Sequence, residues 1–231
     1  MSLPSVPTAT STALTYEAWA PHYDEWNDVN SYTVTGVEHS VASRILDALP
    51  PGRMLDAACG TGRWAKHMAA QGWEAYMVDL SLPMLSNGSA SLESGDSAFA
   101  TLANLKALPF PPTCFELVIC SFAMLHISDL PRVVEELARV TSNSGIVMIT
   151  DIHPSLQFEW GENKQIRISG STYPFPCFHY SIDKYITAAK ENRLKLVAKY
   201  QLKALIDDLV KEAVIVLFFI KEVVPPETIE I

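Results

Sequence analysis

Asp56, Gly60 and Gly62 in LDAACGTGRW (55–64), with Asp79 in YMVDLS, form the first arrangement in this sequence that can hold a ligand. Two glycines permit a tight turn and close backbone approach. A dinucleotide loop would read G-x-G-x-x-G and aim a helix start at a pyrophosphate. This loop reads G-T-G, with Ala58 ahead of it and a carboxylate at its mouth. Such a carboxylate repels phosphate and favours an ammonium or sulfonium group. Asp79, 17 residues after Gly62, suits the two hydroxyls of a ribose. The alternative is an Asp capping the next helix, which Ser81 can cap itself.

Three histidines could move a proton near neutral pH. His153 follows Asp151 closely, and His179 opens HYSIDKY. Each also has a structural reading, the first in the turn before Pro154 and the second at a helix start. His126 in MLHISD is the weaker candidate, fitting a structural contact equally well. Rings are dense in 152–180 (Phe158, Trp160, Tyr173, Phe175, Phe178, Tyr180), and Trp19 and Trp26 add to them. They suit a pocket for an aromatic or apolar small molecule, or the core of a cover over one. Cys59, Cys114, Cys120 and Cys177 show no CxxC spacing. They read as reduced thiols of a cytoplasmic protein, with no disulfide framework and no metal site.

The elements that must position these groups alternate between strand and helix. Strands are expected at 53–58, 73–80, 97–104, 114–122 and 145–151, with helices at 37–49, 63–71, near 82–88 and at 128–140. Pro21 must break the aromatic helix of 15–28. After Asp151 the rhythm gives way to a long turn-rich insertion, then helix 181–192 and strands 193–202 and 212–223. The pattern is that of an α/β fold with a mainly parallel sheet. The first βα turn, where LDAACGTG lies, is where such sheets bind ligands.

Composition narrows the partners. A net charge of −9 without a Lys/Arg cluster argues against nucleic acid. AVIVLFFI (213–220) is too short to span a bilayer and reads as a buried strand; as an exposed edge it would instead support a homodimer. Residues 1–14 read as a flexible arm, and 15–231 as one domain with 15–30 and 152–180 as lid segments.

RMLDAACGTGRWAKHMAAQGWEAYMVDLSLPML resembles the first half of a class I S-adenosylmethionine-dependent methyltransferase, of the small-molecule type that includes the ubiquinone/menaquinone methyltransferases. The similarity continues through residues 107–154 and reaches back to YEAWAPHYD (16–24). The family pattern is Asp/Glu-x-Gly-x-Gly-x-Gly, with Ala58 in place of the first Gly. The resemblance implies a Rossmann-like sheet of seven strands, the last antiparallel, with helices on both faces and an inserted lid. It implies S-adenosylmethionine as cofactor, S-adenosylhomocysteine as product, and a small acceptor methylated on O, N or C. Asp56 would lie near the methionine amino group, with Ala58, Gly60 and Gly62 in the loop around the cofactor. Asp79 would take the ribose, Leu80 would flank the adenine, and Asn104 and Leu105 would meet its edge. Ser121 and Phe122 would approach the methionine, and Tyr16 and Tyr23 would close over it. Two alternatives stay open: an enzyme of this fold using the cofactor structurally for a cyclisation, and a cofactor-binding module without turnover. An NAD-dependent oxidoreductase lacks the loop spacing.

Overall fold

Each short apolar run becomes a strand of one sheet in the computed structural model, which describes residues 8–27, 33–90, 98–161 and 164–223. The strands are β1 (Arg53–Ala57), β2 (Glu74–Asp79), β3 (Ala98–Leu102), β4 (Phe115–Ser121), β5 (Thr141–Ile152), β8 (Leu194–Ile206) and β9 (Leu209–Lys221). Their order is β3-β2-β1-β4-β5-β9-β8. Neighbours from β3 to β5 pair in parallel, and β9 is antiparallel to both β5 and β8. The sheet is therefore the seven-stranded one expected, with its last strand antiparallel. β9 lies inside it with both edges paired, so it offers no edge to a second copy. Its residues Ala213–Phe219 are buried on both faces, which explains a continuous apolar run in place of alternation.

Helices cover both faces. Met54, Leu117 and Met148 face α3 (Val34–Leu46) and α4 (Arg63–Ala69), whose Leu46, Trp64 and Met68 share their cluster. Leu55, Val118 and Val147 face α6 (Leu130–Val140) and α8 (Ile182–Glu191). On α6 the apolar residues recur as Leu130, Val133, Val134, Leu137, one helical stripe. Full burial of each such side chain stabilises the fold by roughly 1.5–3 kcal/mol. Asp129 caps this helix by accepting from the Arg132 N–H, and Ser181 caps α8 in the same way at Lys184.

The chain order reverses between β1 and β4, and a cleft opens beyond the carboxyl ends of these strands. Two excursions border it. At the amino end, α1 (Thr8–Trp19), a 3₁₀ turn and α2 (Tyr23–Trp26) are broken at Pro21 as expected. Residues 8–14 were expected in a flexible arm, and they are helical. The helix is held from the protein side: Thr15 is buried and donates its hydroxyl to the Pro174 carbonyl (2.7 Å). Residues 1–7 and the side chain of Trp26 lie outside the described residues. The second excursion is α7 (Pro154–Trp160) with the hairpin β6 (Gln165–Ile168) and β7 (Ser171–Pro174).

Candidate active site

The cleft encloses a cavity of about 120 Å³. Ten of the twelve residues expected to hold a cofactor line it: Tyr16, Tyr23, Ala58, Gly60, Asp79, Leu80, Asn104, Leu105, Ser121 and Phe122. A second, more polar cavity adjoins it, sharing Tyr23, Ala58, Ser121 and Phe122, and Asp56 lines that one. Gly62 lines neither. Its φ is +75°, and a Cβ there would lie 2.6 Å from Met77 Sδ on β2. Gly62 is thus required for packing the turn on the sheet rather than for ligand approach. Gly60 (φ +55°) lines the cleft, with the Tyr23 ring 3.6 Å from where a Cβ would stand.

Asp79 is oriented by the chain itself. Its Oδ2 accepts the Gly60 N–H (2.9 Å) and its Oδ1 accepts the Ser81 N–H (2.8 Å). Each oxygen retains acceptor capacity toward the cleft. Ser81 caps α5 (Leu82–Ala90), so Asp79 is released from that task. Burial holds the Asp79 carboxyl above the usual range, against the backbone donors that lower it. Asp56 accepts the Ala65 N–H (2.9 Å), and burial pushes its carboxyl up to about 7. A buried carboxylate at this poise is short of a cationic partner. Asn104 accepts the Lys106 N–H at 2.9 Å, which fixes its amide at the cleft wall.

Ala58 stands at φ +59° and Phe122 at φ +54°, a region in which residues with a Cβ are strained. Replacing the family's first glycine with alanine is therefore not conformationally neutral. The chain keeps the glycine's backbone shape without the glycine.

The histidines fall in an unexpected order. His153 caps α7, where Pro154 takes the first position, and it lines neither cavity. Its Nδ1 is 2.8 Å from Ser155 Oγ, and its Nε2 is 3.0 Å from Gln201 on β8. His179 packs beside Phe158 (6.1 Å between rings), also outside both cavities. Phe178 N–H bonds to the Leu125 carbonyl, which turns the following residue toward α7. His126 does line the cleft. Its Nδ1 is 2.6 Å from the Pro176 carbonyl, which can only accept, so Nδ1 carries the proton. Its Nε2, 3.0 Å from the Tyr16 hydroxyl, then accepts from Tyr16. Burial pushes the imidazole down to about 4, so it is neutral and a weaker base than a free imidazole, with its Nε2 lone pair engaged by Tyr16.

The lid rings do not line the cleft either; the rings there are Tyr16, Tyr23 and Phe122. Phe175 and Trp19 stand behind Tyr16, with ring centroids 6.3 and 5.8 Å from it, and Phe175 is 4.4 Å from His126. Phe158 is 80% exposed, and Lys164 sits 3.3 Å over the Trp160 ring. Only Phe175 of these segment rings, with Trp19, packs against the Tyr16–His126 pair.

Two groups at the polar end carried no signal in the sequence. Glu38 of α3 is fully buried and lies 2.7 Å from Arg63, which lines the polar cavity. The Thr61 hydroxyl donates to Asp24 of α2 at 2.6 Å, tying the glycine loop to the amino-terminal excursion. Among the described residues no group of His, Cys, Asp or Glu could hold a metal, and no helix is long and apolar enough to cross a membrane.

Known proteins are similar to this chain in sequence and in fold. Residues 55–149 match a family described as a methyltransferase domain. A demethylmenaquinone methyltransferase of Renibacterium salmoninarum is 30% identical over 144 residues, 62% of this chain and 60% of the relative. A malonyl-[acyl-carrier protein] O-methyltransferase of Halorhodospira halophila is 32% identical over 158 residues, 64% of this chain and 51% of the relative. The matched region is thus between half and three fifths of the length of these curated relatives. An S-adenosylmethionine-dependent methyltransferase from Mesorhizobium loti superposes with a TM-score of 0.65 at 16% identity, over 81% of this chain and all of that one. The [4+2]-cyclase SpnF does so with a TM-score of 0.70 at 15% identity, over 96% of this chain and all of that one. The likeness to these two structures is one of fold.

Proposed function

We propose that this chain, which resembles the class I S-adenosylmethionine-dependent methyltransferases of the quinone type and has their fold, transfers a methyl group from S-adenosylmethionine to a small organic acceptor. The observation that carries the reading is Asp79, held by the Gly60 and Ser81 amides with its free acceptor capacity at the cleft. The cofactor fits the residues present. Two carboxylates flank the loop, which repels a pyrophosphate and welcomes an ammonium. Leu80, Ala103 and Leu105 offer an apolar wall for adenine. When bound, the cofactor supplies an electrophilic methyl group on a sulfonium.

The chain's own residues would then bind, cover and orient. Asp79 takes the ribose hydroxyls, Asn104 and Leu105 the adenine edge, and Asp56 the amino group. Tyr16 and Tyr23 from the amino-terminal excursion close the cleft against water, with 152–180 as the second half of the lid. Tyr16 and His126, unlike His153 and His179, face the cleft, where their hydrogen-bonded pair would orient an acceptor hydroxyl. The net charge of −9 disfavours a nucleic-acid acceptor.

Calorimetry with S-adenosylmethionine, with NADH as control ligand, tests the reading. Micromolar binding to the wild type, lost in Asp79→Ala, is the expected result. Binding of NADH alone, or of neither ligand by folded protein, would overturn it. A product lacking the added methyl mass would point instead to the cyclisation chemistry named for SpnF.

A further inference from the structure

We infer that this chain forms a two-fold symmetric dimer through β3, whose free edge pairs antiparallel with the same strand of a second copy.

β3 and β8 are the two edges of the sheet, and the chain treats them differently. β8 carries exposed Lys195, Lys199 and Lys203, and its ladder shifts register at Val197, between Leu196 and Ala198. Lysines and bulges of this kind keep an edge from pairing with another chain. β3 reads Ala-Phe-Ala-Thr-Leu, with no charge and no proline, and its ladder with β2 runs without a shift. The same neutrality extends around it. Residues 80–90 and 98–105, which include α5, hold no Asp, Glu, Lys or Arg in a chain that is 19% charged. Leu80, Leu82, Phe99 and Leu102 are exposed within this stretch.

Charge names the occupant. Two copies with a net charge of −9 repel wherever their charged surfaces face each other, and this edge is a face free of charge. A foreign partner is selected by complementary charge, which this face does not offer. A second copy needs only that the patch be complementary to itself.

The backbone meets that requirement. The Ala103 N–H donates to the Asp79 carbonyl of β2 at 3.0 Å, so Phe99, Thr101 and Ala103 turn their backbone groups inward. Ala98, Ala100 and Leu102 turn theirs outward, because backbone polar groups alternate along a strand. A two-fold axis at Ala100 sets that residue against its own copy and Ala98 against the partner's Leu102, with N–H···O bonds exchanged at each pair. The side chains agree with this register. On one face the small Ala98 receives the larger leucine. On the other, Phe99, whose ring lies 5.0 Å from that of Tyr76, meets the partner's Thr101. The joined strands run in opposite directions, so the two clefts open at opposite ends of the combined sheet and neither is covered by the other copy.

Sedimentation equilibrium of the full chain from about 1 to 200 µM tests the inference and should show passage to twice the chain mass. Leu102→Lys places a charge on the edge and should weaken the dimer at least about tenfold. Ala100→Pro removes an outward N–H without touching the ladder to β2 and should do the same. Val197→Lys, on the other edge and as exposed as Leu102 (both 56%), should leave the dimer unchanged. Hydrogen exchange resolved to single amides reads the wild type alone, whether or not the variants fold. The Ala100 and Leu102 amides should exchange more slowly as concentration rises, while Thr101, already bonded to β2, should not change. A wild type that stays monomeric, outward amides indifferent to concentration, or a dimer unmoved by both β3 variants overturns the inference. A dimer broken equally by Val197→Lys overturns it as well.

Discussion

The Tyr16 hydroxyl donates to His126 Nε2 across 3.0 Å, while the Nδ1–H of the same ring donates to Pro176. One imidazole thereby joins the amino-terminal helix, the turn after β4 and segment 152–180. The ring is neutral in the fold, pushed down to about 4 by burial, against about 6.5 in an unfolded chain. Between these values the unfolded state binds the extra proton, so stability falls as pH drops from 6.5 toward 4. The full loss is about 3 kcal/mol per mole of protein at pH 4 and below. Denaturant titrations at several pH values check this. His126→Gln should lose stability at neutral pH yet fall less on acidification. A variant declining as steeply as the wild type would show that His126 is not the group responsible.

Asp56 gives cofactor binding a pH dependence of its own. Burial pushes its carboxyl up to about 7 in the free protein, and an arriving ammonium favours the ionised form. Binding at pH 6 should therefore release close to one proton. Affinity should weaken by up to about tenfold per pH unit below 7. Calorimetry in two buffers of different ionisation enthalpy measures the proton directly. In Asp56→Asn the proton release should vanish and binding should be weaker at pH 8.

Ala58 predicts a stabilising substitution inside the active site. Its φ of +59° costs an alanine about 1 kcal/mol that a glycine does not bear. Against this, glycine adds freedom to the unfolded chain, worth about 0.4–1 kcal/mol. Ala58→Gly should raise stability by at most about 0.6 kcal/mol, seen as a small rise in Tm. A fall in Tm of several degrees would mean that the Ala58 methyl packs in a way that outweighs the strain.

The sheet, the glycine turn and Asp79 were legible because they are local in sequence. A run such as CFELVICSF declares a buried strand by itself, and G-T-G declares a tight turn. Pairings between distant residues left no such mark. Tyr16 and His126 are 110 positions apart, and Ser121 meets Glu38 across 83. His153 lines neither cavity, and a local signal for its structural reading was present. A residue directly before a proline that opens a helix is a cap, and His153 accepts the Ser155 N–H in that role. The rings of 152–180 left both readings open for another reason: composition shows that a segment must bury rings, not which face will receive them.

Asp151, at the end of β5, has no access to the cleft and predicts a pH effect on the fold alone. It is fully buried, accepting from the Tyr185 hydroxyl at 2.7 Å and from the Ile152 N–H at 2.8 Å. Burial outweighs these donors and pushes the carboxyl up to about 7. In an unfolded chain it titrates near 4. Between these values the folded protein holds one more proton than the unfolded one. The stability it contributes is present below about pH 4 and lost as pH rises through 7. Asp151→Asn keeps an acceptor for Tyr185 and removes the titration. Relative to the wild type, the variant should therefore gain at most about 1.4 kcal/mol per pH unit between pH 4 and 7, and nothing further above. Because His126 contributes with the opposite sign from pH 4 to 6.5, the difference between the two proteins is the quantity to read. A constant difference across that range would show that Asp151 is ionised in the folded chain throughout, with its charge carried by the Tyr185 and Ile152 donors.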